Sequence, residues 1–111
     1  SRPTSRVQIS RMNKTNLREV SNALPESWRS KIIGRAAGAN IKVLRMDEVA
    51  SGEDPHAYDE GLLVLDGELK LRIGGEVVTV AAGEIFIVPA NAPHAVAAGS
   101  HGTLVIIDRD E

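Results

Sequence analysis

From Ile41 onward, short apolar runs follow one another closely, and glycine or proline stands between most of them. The runs are "IKVLRM", "GLLVLDG", "ELKLRI", "EVVTV", "EIFIVP", "HAVAA" and "TLVIID". In "ELKLRI" the period is two: Leu69, Leu71 and Ile73 point one way, Glu68, Lys70 and Arg72 the other. Gly74-Gly75 is a two-residue turn, and "EVVTV" is the returning arm of a hairpin. "GLLVLDG" is apolar on both faces and reads as a strand covered on both sides. Pro89 stops "EIFIVP", and "GSHG", with His101 as a turn residue, separates the last two runs. Short strands with Gly/Pro turns at this spacing predict an all-β sandwich or barrel.

The first forty residues differ. Residues 1–15 are expected to form a loose N-terminal arm, since 1–14 carry no usable hydrophobic period. In "NLREVSNAL", Asn16 can cap a helix and Glu19 stands three residues later. Leu17, Val20 and Leu24 share one helical face, and Pro25 ends the helix. Residues 26–38 hold a short strand or turn around Ile32–Ile33, with Trp28 as a packing anchor. Residues 16–111 are then one domain with one core, as 111 residues allow.

Composition removes several classes of function. The chain has no cysteine, so disulfides and thiolate metal sites are excluded. No run approaches the roughly 18 apolar residues that span a bilayer. "SRPTSRVQIS" lacks the apolar core of a signal peptide, and a cytoplasmic location is expected. Residues 1–45 hold ten Lys/Arg against two Asp/Glu, and residues 46–111 hold three against thirteen. The basic residues are scattered and Trp28 is the one aromatic among them. That pattern favours a basic segment lying on an acidic body over a nucleic-acid arm.

Two segments carry chemistry. In "DPHAYDEGLLVLDG", a period-two strand puts Asp54, His56, Tyr58 and Glu60 on one face, with Leu62 and Val64. In "GEIFIVPANAPHAV", Pro89 breaks a strand, a tight turn follows, and His94 opens the next strand. If the two segments are neighbours, two imidazoles and one carboxylate can meet. Such a set forms a facial triad suited to Fe(II), and it would also hold Zn, Mn, Ni or Co. Tyr58 and Asp54 are the candidates for proton transfer.

Over residues 41–108 the sequence resembles a small single-domain cupin. The first cupin motif runs Gly, five residues, His-x-His, three or four residues, Glu, six residues, Gly. His56, Glu60 and Gly67 match its second half in spacing. The second runs Gly, five residues, Pro-x-Gly, two residues, His, three residues, Asn. Gly83, Pro89 and His94 match it, with Asn91 at the glycine and Ala98 at the asparagine. Asn91 can still adopt a positive φ. Asp54 stands where the first motif has its first histidine, which leaves two His and one Glu with Asp54 as a possible fourth ligand. A shifted alignment instead places Glu53 and Pro55 at the two histidine positions and leaves His56 off the site.

The resemblance implies a jelly-roll barrel, a double-stranded β-helix, with a short N-terminal helix. It implies a divalent transition metal (Fe, Zn, Mn or Ni) on His56, Glu60 and His94. The ligand would be a small acidic or carbonyl-bearing molecule, and the reaction a dioxygenation, isomerisation or decarboxylation. A metal-free binding or sensing module and a structural dimer with a vestigial site are the rival readings. A homodimer is expected, because a small barrel with so apolar a strand needs cover outside.

Overall fold

The computed structural model describes residues 14–48 and 55–110. The N-terminal arm up to residue 13, with Glu53 and Asp54, lies outside the described residues. Helix α1, Leu17–Ala23, starts where expected: the Asn16 side chain accepts from the Glu19 amide at 3.1 Å. Leu17 and Val20 are only half-buried, and Ser21 is the residue it buries fully.

Among the described residues seven strands follow: β1 Lys31–Ala36, β2 Ala39–Asp47, β3 Glu60–Ile73, β4 Glu76–Ala81, β5 Ile85–Val88, β6 His94–Val96 and β7 His101–Asp108. The unassigned stretch around Ile32–Ile33 is thus an edge strand, paired antiparallel to β2 and mostly exposed. His101 begins a strand instead of sitting in a turn, and it is exposed. Residues 55–59 are not a strand but a bend.

All pairings are antiparallel, in the order β1-β2-β7-β3-β4, with β5 and β6 also on β3. "GLLVLDG" and "ELKLRI" are two halves of one fourteen-residue strand. The first half runs between β5 and β7, the second between β4 and β6. A bulge between Val64 and Asp66 marks the change. There Gly67 pairs with Gly102 of β7, both at positive φ. A Cβ on either would overlap a backbone carbonyl of the other strand. This close crossing lets one strand pair with four others along its length.

The core is built from inward positions of neighbouring strands: Leu44 and Met46, Leu62 and Val64, Leu69 and Leu71, Val80, Val88 and Leu104. Each such side chain contributes about 1.5–3 kcal/mol on burial. Trp28 packs against this core from the segment before β1, and its indole N–H donates to the Asp47 carbonyl at 3.3 Å. On the outer face, Arg45 of β2 donates to the carbonyls of Ser21 and Leu24, at 2.7 and 3.1 Å. It thereby satisfies carbonyls at the C-terminal end of α1 and ties the helix to the barrel.

Candidate functional site

Two loops bring the site together. The loop before β3 carries His56 and Tyr58, and the turn 89–93 leads into His94. The Asn91 amide donates to the His56 carbonyl, and the Ala90 amide donates to Asp59 Oδ1 at 2.8 Å. Asn91 has φ 64°, the positive value this turn needs in place of glycine. Asp59, which spacing alone did not single out, is therefore the clasp between the loops. An acid just before a strand gave no signal that its partner lay 31 residues on.

Glu60 is the first residue of β3, and His94 the first of β6; both are buried. His94 Nε2 lies 3.3 Å from Glu60 Oε1, and His56 Nε2 lies 3.9 Å from Glu60 Oε2. The two imidazole centroids are 6.3 Å apart. Tyr58 stacks on His56 at 5.0 Å and 12°, with Arg109 over the tyrosine ring at 5.6 Å. Burial raises the Glu60 carboxyl above its ordinary value, the two imidazoles oppose that, and Asp108 adds to it.

The tautomer of a neutral His94 follows from its neighbours. Its Nδ1 is 2.9 Å from the Ala92 carbonyl, which can only accept, so Nδ1 carries hydrogen. In a neutral ring Nε2 is then a lone pair facing a carboxylate oxygen. Two acceptors at this distance need a proton or a cation between them. Either Glu60 or His94 holds that extra proton, or a metal replaces it.

The donor set suits a divalent metal: two imidazoles, one carboxylate, and a carbonyl that fixes one ring from behind. Ligands at 2.0–2.2 Å from one ion stand about 3.0–3.4 Å apart on adjacent positions. The His94–Glu60 contact falls in that range, and the His56–Glu60 contact is longer. Accordingly, among the described residues no three His, Asp or Glu side chains form a ready-made metal cradle. Of the expected site residues, the fold brings His56, Tyr58, Glu60 and His94 together, while Asp54 is outside the described residues.

These groups sit around a cavity of about 310 Å³ floored by apolar residues such as Leu62, Leu71 and Leu104. Lys42, Asp108 and Trp28 also line it, and none of the three was singled out as a site residue by spacing. The fold and site thus define a small antiparallel barrel with a histidine–carboxylate cluster at the mouth of its cavity. The cupin-domain family model matches residues 43–108, and the chain belongs to the cupin family.

Solved structures agree on the fold. A cupin-2 domain protein of Shewanella frigidimarina is 20% identical, covering 91% of this chain and 99% of its own, at TM-score 0.82. A protein of Neisseria meningitidis is 24% identical, over 88% and 100%, at 0.76. A hydroquinone 1,2-dioxygenase in complex with Cd2+ and 4-hydroxybenzonitrile is 18% identical, over 87% and 72%, at 0.73. No curated protein is significantly similar in sequence.

Proposed function

We propose that this cupin binds a divalent transition metal through His56, Glu60 and His94, and a small acidic or carbonyl-bearing molecule beside it. The observation that carries the reading is the approach of His94 Nε2 to the buried Glu60 carboxyl at 3.3 Å, with His56 next to both. That arrangement leaves a place for a cation. The similar fold of a dioxygenase described with Cd2+ adds weight. A metal bound there would act as a Lewis acid toward a carbonyl or carboxylate. This chain's own residues would supply the rest: the apolar floor excludes water, and Tyr58, beside His56, is the candidate to hold or move a proton.

The test is the metal content of protein purified without a histidine tag, then after loading with Fe(II), Mn(II), Ni(II) or Zn(II). Near-stoichiometric metal, lost on His94→Ala, supports the reading. Protein that takes up no metal from any of these supports the alternative, a metal-free binding module in which Glu60 and His94 share a proton. The spread of the three side chains is the observation behind that alternative. A homodimer is proposed with either reading, through the outer face that carries Ile85 and Ile87, 49% and 53% exposed.

A further inference from the structure

The cavity wall holds a charged pair that the metal reading does not use. Lys42 of β2 and Asp108 of β7 both line it, and Lys42 Nζ is 2.8 Å from Asp108 Oδ2. Their side chains are 24% and 5% exposed. The register sets Lys42 opposite Ile106 and Asn40 opposite Asp108, so the pair runs diagonally across two strands. The second oxygen of Asp108 accepts from the Asn40 amide at 3.3 Å, and Asn40 itself accepts from Arg35 at 2.7 Å. Asp108 is therefore fixed from behind. On its other side, Gly61 pairs with Ile107, which brings Glu60 next to Asp108 across β7 and β3. Lys42, Asp108 and Glu60 form one row over three strands, above the apolar floor.

Such a pair contributes little net stability, because an apolar pair of similar volume often serves as well. Its position suggests recognition instead. Lys42 is the sole Lys or Arg among the described residues that line the cavity. Its ammonium has three donors, and Asp108 is its partner among the described residues. Donors left over at a cavity wall need an acceptor there, from water or from a ligand.

We propose that Lys42, positioned by Asp108, is a specificity-determining residue that takes the carboxylate of a small ligand in this cavity. The ligand's other oxygen donors would lie toward His56, Glu60 and His94, and for that second end alone the inference rests on the metal reading. Lys42 and Asp108 cancel in charge, and a divalent ion at the histidine–carboxylate cluster would add positive charge to the cavity. Carboxylate binding is therefore tighter with metal than without.

The experiment titrates the protein with 2-oxoglutarate and with its dimethyl ester by calorimetry, both metal-free and loaded with Mn(II). Wild type is expected to prefer the acid over the ester by at least about tenfold in one state or both, a difference near 1.4 kcal/mol. Lys42→Met should lose that preference while keeping its thermal unfolding midpoint and metal content. The preference in wild type is measured without any variant, so a misfolded Lys42→Met does not rescue the idea. Equal binding of acid and ester by wild type, no binding of either, or an unchanged preference in a folded Lys42→Met overturns it. Metal content reports separately on the metal reading: a wild type that takes up no metal yet prefers the acid sinks that reading and keeps the Lys42 contact.

Discussion

At the scale of residues, the site is a problem of protons. Glu60 is buried beside two imidazoles and near Asp108, and burial is the largest influence on it, raising its pKa. A carboxyl whose folded pKa lies above its unfolded value binds its proton more tightly when folded. Its contribution is fully present below the unfolded value, near 4.5, and is lost as pH rises through the folded value. Metal-free protein should therefore lose stability upward from about pH 4.5, and Glu60→Gln should flatten that loss and raise the Tm at pH 7. A Glu60→Gln protein whose pH–stability curve matches wild type refutes the assignment. With metal present the sign reverses, because ligands must be deprotonated: metal affinity should fall as pH is lowered. Replacing His56, Glu60 or His94 by Ala should weaken metal binding by about 100-fold or more. His101→Ala, on an exposed strand end, should leave it unchanged; an equal loss there would show that the site is misplaced.

At the scale of elements, the crossing of β3 and β7 carries most of the geometric constraint. Gly67 and Gly102 face each other, and a methyl group on Gly67 would meet the His101 carbonyl. Gly67→Ala should cost about 3 kcal/mol or more in chemical denaturation, since both φ and space forbid it. Gly74→Asn, also at positive φ but with nothing near its missing Cβ, should cost under about 1 kcal/mol. Comparable losses at the two positions would mean that φ alone, and not the crossing, decides. Arg45 offers a second check. Its guanidinium reaches two carbonyls at the end of α1 and the Ser27 hydroxyl. Arg45→Met should cost about 1–3 kcal/mol and raise hydrogen exchange in residues 17–24. Unchanged exchange there would show that the helix docks without it.

At the scale of the whole molecule, the divided charge and the uncovered outer face belong together. Arg18 meets Asp66 at 3.2 Å and Lys42 of β2 meets Asp108, two contacts between the basic and the acidic halves of the sequence. The Arg18 pair is well exposed and adds little. Ile85 and Ile87 of β5 pair with Leu63 and Gly61, continuing to Val105 and Ile107 of β7. Among these, Ile85 and Ile87 are left about half exposed, as a face awaiting a second copy would be. Light scattering at micromolar concentration should give a dimer, and Ile85→Glu with Ile87→Glu should give a folded monomer. A wild-type monomer, or a double variant that still dimerises, contradicts that interface.

Much of this was legible in one dimension. Alternation in "ELKLRI", the Gly74-Gly75 turn and the Asn16 cap are local facts, so spacing alone located the hairpin and the helix start. The convergence of the two histidines on Glu60 was legible through motif spacing, and the Asn91 turn through its tolerance of positive φ. That β3 is one strand and not two was not legible, because its continuity depends on a glycine pair contributed by two distant segments. Edge strand β1 was obscure because its exposed positions carry no period. Asp59, Lys42 and Asp108 stayed hidden for a related reason. An acid or a lysine shows its role only when register sets a partner opposite it, and register is fixed by packing of the whole barrel.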